Sequence, residues 1–146
     1  MKVKKEEIFK WAERYRTENE IDKELLYAVA KVESSLNSLA YNKISGANGL
    51  FQFTEIGLRH AMELANFPIN PTIPEDSTRG AKAYFSWLYK VWGKDNLRMW
   101  LYSWNWGYGN VRKWLTGEKL KLPKETQKFA QKVIKIYRKE KGLDTF

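Results

Sequence analysis

The amino-acid sequence predicts an all-α fold around one core, and three observations predict it. Apolar residues recur at spacings of three and four through most of the chain, no stretch alternates apolar and polar residues, and no self-similar unit of about 20 to 50 residues is present. With 146 residues, the chain is expected to form one domain over 1–146, long enough to enclose a core without staples.

The first helix is expected from about Lys4 to Thr17, where Ile8, Trp11, Ala12 and Tyr15 fall on one side. Asp22 stands as an N-cap before a second apolar stripe of Leu25, Leu26, Ala28, Val29, Val32 and Leu36, with Glu33 near its C-terminal end. Periodicity then lapses between Asn37 and Gly49, where Asn, Ser and Gly supply turns. A helical pattern returns over Phe53 to Asn66, and Pro68, Pro71 and Pro74 mark a second loop. From Asp76 to Trp92 the positions Ala83, Trp87 and Val91, flanked by Tyr84 and Leu88, define a helix ended by Gly93. Leu97 to Ser103 forms another, Gly107 and Gly109 interrupt, Val111 to Leu115 gives a short helix, and Pro123 opens a last one through Phe129, Val133, Ile136 and Tyr137. The two loops are placed to line a groove.

Composition excludes several kinds of chemistry. With no Cys and one His, neither a disulfide nor a usual structural zinc site can be assembled, so no metal and no cofactor is expected. The longest apolar run, Leu25 to Ala30, is six residues against the roughly 20 that cross a bilayer, so no membrane insertion is expected. The charged start MKVKKEEIFKWAERYR does not read as an export signal. A net charge of +9 favours anionic partners. The basic residues are spread over all the helices rather than gathered on one, however, which argues against a nucleic-acid-binding module, and no nucleic acid is expected as a partner. Lys132, Lys135, Arg138, Lys139 and Lys141 read as the solvated face of the last helix.

Glu33 is the residue that composition does not explain. It follows Val29 by four and Leu26 by seven, which sets it on the border of its helix's apolar face, where a carboxylate seldom belongs. An unperturbed Glu, with a pKa of about 4.3, is ionised at neutral pH and useless as an acid. Burial raises that value, and so does the negative end of the helix dipole, which makes Glu33 a candidate proton donor. Conventional glycosidases need a second carboxylate about 5 to 9.5 Å away. None occurs from Ser34 to Thr54; Glu55, Glu75, Asp76 and Glu125 are the acidic residues left for folding to bring in.

The stretch ESSLNSLAYNKISGANGLFQF, from Glu33, resembles the catalytic core of the soluble lytic transglycosylases, which share a fold with goose-type lysozyme. SWNWGYGNVRKW looks like that family's Tyr-Asn-Ala-Gly-x-Gly-x-Val segment, and LPKETQKFAQKVIKIY is similar to its closing Glu-Thr-x-x-Tyr-Val helix. The three blocks cover residues from about 25 to 137 in the family's order. The resemblance implies a lysozyme-like helical domain whose groove binds peptidoglycan glycan strands. It implies cleavage of the β-1,4 bond between N-acetylmuramic acid and N-acetylglucosamine, with Glu33 as acid and then base, giving 1,6-anhydromuramyl products. Gln52 and Asn105 offer neutral amides to a sugar, and Phe53 and Trp104 offer aromatic faces.

Three departures from the family pattern stand out. The loop after Glu33 carries one residue more, so the place of the family's loop Ser is shared between Asn42, by count, and Ser45, by chemistry. Trp104 replaces the Tyr of the Tyr-Asn pair, whose phenol the resemblance implies to hydrogen-bond near the acid, with Tyr102 as a candidate to stand in for it. Phe129 replaces a Tyr of the last helix. The alternatives are a goose-type hydrolytic muramidase acting as an endolysin and a wall-binding module without catalysis. A monomer acting on the cell wall is expected, in a phage setting or released by another route.

Overall fold

Six consecutive apolar residues, Leu25 to Ala30, leave a helix no polar side to present to water, and all six are buried. The computed structural model describes residues 1–118 and 121–143, and among them seven helices follow one another: α1 (Lys5–Arg14), α2 (Lys23–Ser34), α3 (Glu55–Ala65), α4 (Pro74–Trp92), α5 (Leu97–Trp106), α6 (Tyr108–Leu115) and α7 (Lys124–Glu140). The centre is α2, which packs against α1, α4 and α7, while α3 lies on α4 and α5 joins α4, α6 and α7. The only β pairing among the described residues is in isolated bridges, such as Tyr41 with Asn48 and Asn48 with Phe53.

Helix ends differ from the sequence-based expectation in instructive ways. Tyr15 takes an extended conformation that stops α1 short of Thr17. Asp22 does occupy the N-cap of α2, but its carboxylate accepts a hydrogen bond from the Tyr137 hydroxyl instead of from the helix's own N–H groups. Leu36 lies beyond α2, because Ser35 and Leu36 both turn into the left-handed region, with φ 53° and 66°. Pro74 is the first residue of α4, where its missing N–H is one the helix would leave unpaired anyway. α5 runs on to Trp106, past Ser103, so Trp104 and Asn105 are helical residues. Gly107, at φ 104°, makes the break before α6, which starts three residues earlier than the spacing suggested.

Lys82 is buried in mid-helix on α4, its side chain only 2% exposed. Its Nζ donates to the carbonyls of Ala12 at 2.7 Å and Tyr15 at 2.8 Å and pairs with Glu20 at 3.0 Å. Carbonyls at the end of α1 have no intrahelical partners, so the lysine closes that end and ties it to α4. No buried side-chain nitrogen or oxygen among the described residues lacks a partner.

The loop between α2 and α3 is locked by close backbone approach. Gly49 sits at φ 83°, and a Cβ built on it would meet the Pro71 carbonyl oxygen at 1.8 Å. Only glycine satisfies both the left-handed conformation and the contact. Ser34 fixes the same loop from the other side: its Oγ donates to the Leu50 carbonyl at 2.7 Å, so the residue after Glu33 anchors the chain that runs past the helix end. Gly49→Ala is expected to destabilise the fold by about 3 kcal/mol or more in urea unfolding, since neither backbone can yield without moving its loop. A loss under about 1 kcal/mol would show that the two loops are not locked together.

Candidate active site

A cleft of about 420 Å³ opens between three helices, lined by Val32 and Glu33 of α2, Asn105 of α5, and Glu125, Lys128, Phe129 and Lys132 of α7. Glu33 is delivered by the last turn of α2, and the left-handed pair Ser35 and Leu36 then turns the backbone aside. Its side chain is only partly exposed, and the carboxyl group has little water around it. Burial pushes its pKa up to about 7. The hydrogen bond from Trp104 opposes the shift, and the negative charge of Glu125 adds to it.

Trp104 donates from Nε1 to Glu33 Oε2 at 2.9 Å. The indole is held by rings on several sides. Phe85 stacks on it at 4.7 Å with the planes 13° apart, and Phe53, Tyr84 and Phe51 meet it at 5.5, 5.3 and 6.3 Å. A donor so packed has little freedom to leave its acceptor. Trp104 therefore occupies the hydrogen-bonding place that a phenol was expected to fill. Tyr102 does not reach the acid: it is buried, its ring meets Trp114 edge-on at 6.0 Å, and it makes no hydrogen bond to Glu33. Phe53 is likewise buried, and its ring supports the indole instead of facing a groove.

Asn105 lines the cleft, with its Oδ1 accepting from the Thr126 hydroxyl at 2.7 Å, while its amide N–H groups have no partner among the described residues. Thr126 is buried, and nothing in its sequence neighbourhood announced that role beyond the Glu-Thr pair that opens α7. Gln52 is a clamp for the loop: Nε2 donates to the carbonyls of Ala40 at 3.0 Å and Gly49 at 2.9 Å, and its own φ is 54°. Asn42 and Ser45 shape that loop's tip. Asn42 Oδ1 accepts from the backbone N–H of Ile44 and Ser45 at 2.9 and 3.2 Å, and Ser45 Oγ accepts from Ala47 at 3.2 Å. Neither lines the cleft around Glu33.

Of the four candidate second carboxylates, only Glu125 lines this cleft. Glu75 is engaged by Arg14 at 2.7 Å and by Tyr15, Asp76 accepts from Asn70 at 3.1 Å, and Glu55 pairs with Arg59 at 3.2 Å. Two other clefts border the connection between α1 and α2, but the lysines there are matched, Lys82 with Glu20, Lys23 with Glu13 and Lys141 with Asp22. No group of His, Asp or Glu among the described residues is arranged to hold a metal ion, and no helix is long and apolar enough to cross a membrane.

The family profile described as the transglycosylase SLT domain matches residues 9–127. Among solved structures, the 70 kDa soluble lytic transglycosylase from Escherichia coli is similar over 91% of this chain at 24% identity, with a TM-score of 0.76. An inactive mutant of the lytic transglycosylase Slt from Pseudomonas aeruginosa is similar over 94% at 19% identity, with a TM-score of 0.74. The 70 kDa soluble lytic transglycosylase in complex with bulgecin A is similar over 92% at 22% identity, with a TM-score of 0.77. This chain spans 24% of the length of each of those proteins, and at such identities the likeness is one of fold. No curated protein matches.

The raised pKa of Glu33 carries a stability signature. The native state holds its proton up to about 7 while the unfolded chain releases it near 4.5, so stability falls as pH rises between those values and stays lowered above them. Glu33→Gln, which removes the charge, is expected to unfold at higher denaturant than the wild type at pH 8, by about 1–3 kcal/mol, and to match it at pH 4. Parallel urea titrations at the two pH values check this, and an equal gap at both would remove burial of the carboxyl as the cause.

Proposed function

This chain belongs to the transglycosylase SLT domain family, and from that premise we propose that it is a peptidoglycan lytic transglycosylase with Glu33 as its acid and base. The observation that carries the reading is the carboxyl of Glu33, desolvated at the end of α2, facing a cleft and held by a single indole donor. With a pKa of about 7, Glu33 is substantially protonated near neutrality, which suits it to give a proton and then to take one back.

In this mechanism a glycan strand lies across the cleft with the β-1,4 bond between N-acetylmuramic acid and N-acetylglucosamine at Glu33. The carboxyl proton passes to the glycosidic oxygen as the bond to the muramyl anomeric carbon breaks, and the N-acetylglucosamine end leaves as an alcohol. The substrate's own acetamido group stabilises the positive charge left on the anomeric carbon. Glu33, now ionised, accepts the proton of the muramyl C6 hydroxyl as that oxygen attacks the same carbon. The acid is restored, and the product is a 1,6-anhydromuramyl end. Asn105, with its carbonyl oxygen committed to Thr126, presents N–H donors to sugar oxygens.

A hydrolytic muramidase is the second reading, and one observation favours it: Glu125 lines the same cleft and is exposed to water. There it would serve as base for a water molecule, the inverting arrangement of two carboxylates. The two readings part on products. Mass spectrometry of fragments released from purified peptidoglycan is expected to find 1,6-anhydromuramic ends, and ordinary reducing ends would transfer the assignment to hydrolysis.

Glu33→Gln is expected to lower turnover by about 10³-fold or more with the fold intact by circular dichroism, and substantial residual activity would remove Glu33 from the mechanism. The alkaline limb of kcat/KM is expected near pH 7, where Glu33 loses its proton. Since the Trp104 hydrogen bond favours the ionised form, Trp104→Phe is expected to move that limb upward, while Glu125→Gln, by removing a like charge, moves it downward. A limb that stays fixed in both variants would mean that another group sets it.

A further inference from the structure

Glu125, Lys128 and Lys132 succeed one another on α7 at spacings of three and four, so they share one side of that helix, and all three line the cleft that holds Glu33. Both lysines are exposed, and neither makes an ion pair or a hydrogen bond among the described residues. This holds although Glu125 stands three residues before Lys128, within ordinary pairing distance on a helix. Other lysines that border clefts in this protein are matched, Lys82 with Glu20, Lys23 with Glu13 and Lys141 with Asp22. The two at this cleft are left available to something outside the chain.

A glycan of N-acetylated sugars is neutral except for what its muramyl residues carry. Each has a lactyl group that ends either in a free carboxylate or in a peptide bearing carboxylates of its own. We propose that Lys128 and Lys132 bind a carboxylate borne by the muramyl substituent, and so select which strands enter the cleft. The proposal rests on the reading of this cleft as a glycan-cleaving site. Two ammonium groups one turn apart, on mobile four-carbon stems, suit a substituent that is itself flexible. Set at the rim and not beside the reacting bond, they contribute equally to ground and transition states, which places their effect in KM.

Three substrates separate the sources of the carboxylate: strands with their stem peptides, strands stripped so that the lactyl carboxylate is bare, and stripped strands whose carboxylates are coupled to a neutral amine. The doubly substituted Lys128→Gln, Lys132→Gln protein is expected to raise KM by about tenfold on the strands that bear the recognised carboxylate, an effect of two partly screened charge contacts that 0.5 M salt reproduces in the wild type. kcat is expected to hold, and the difference between variant and wild type is expected to vanish on the amine-coupled strands. A rise confined to peptide-bearing strands assigns the peptide carboxylates, and a rise on bare strands assigns the lactyl group. An unchanged KM on both, or an equal rise on the amine-coupled strands, overturns the proposal. If the wild type cleaves none of the three, the glycan-cleaving reading fails by itself, and cosedimentation of the two proteins with the same strands still reads the lysines.

Discussion

A carboxylate removed from water must find hydrogen-bond donors or keep its proton, and at Glu33 the first course is nearly closed. One donor reaches it, the Trp104 indole, against the loss of most of its hydration. The surrounding structure maintains that imbalance. The wholly apolar middle of α2 seats the helix in the core, so its last turn emerges still wrapped by neighbours. Ser35 and Leu36 end the helix at once in left-handed conformations, and Ser34 bonds to Leu50, so the chain that leaves α2 folds back along it. The αL turn stores strain beside the carboxyl, about 1 kcal/mol or more at each non-glycine position, and the packed loop sustains it.

The cleft depends on α7 as much as on α2. Phe129 and Val133 of α7 pack into the core, Thr126 holds the Asn105 carbonyl, and the helix's outer side brings Glu125 and two lysines to the opening. One helix thus supplies packing, orientation of an amide, and the charge pattern at the entrance. The negative charge of Glu125 reaches Glu33 and reinforces its hold on a proton, while neither lysine is among the influences on that carboxyl. Cations nearer to Glu33 would have favoured its ionised form and weakened it as an acid.

Much of this was legible in residue order. Helical spacing located all seven helices, and the position of Glu33 between apolar and polar faces marked it as out of place before its surroundings were known. The differences lie where local pattern gives way to tertiary contact. α5 was read as ending at Ser103, but it runs on to Trp106, and Trp104 in that last turn stacks on Phe85. Asn42, Ser45 and Gln52 have side chains suited to sugars, and the same chemistry suits them to backbone groups a few residues away, which is where they are engaged. Phe53 was read as an aromatic face for a sugar and Tyr102 as a stand-in for the replaced phenol; large rings are usually core, and both of these are buried. Lys82 gave no signal, since a lysine between two alanines on a helix reads as solvated until the end of α1 is placed against it. Lys132 belonged to a run that looked uniformly solvated, and only the approach of α2 distinguishes its side of α7.

The exchange of phenol for indole beside Glu33 has a consequence for where the proton sits. A hydroxyl can rotate and either give or receive, so it accommodates a carboxyl protonated on the oxygen it faces. An indole Nε1–H gives only. Oε2 of Glu33 is therefore held as an acceptor whether the group is charged or neutral, and the proton of the neutral form is directed to Oε1. The two oxygens become chemically distinct, and proton traffic is confined to one of them.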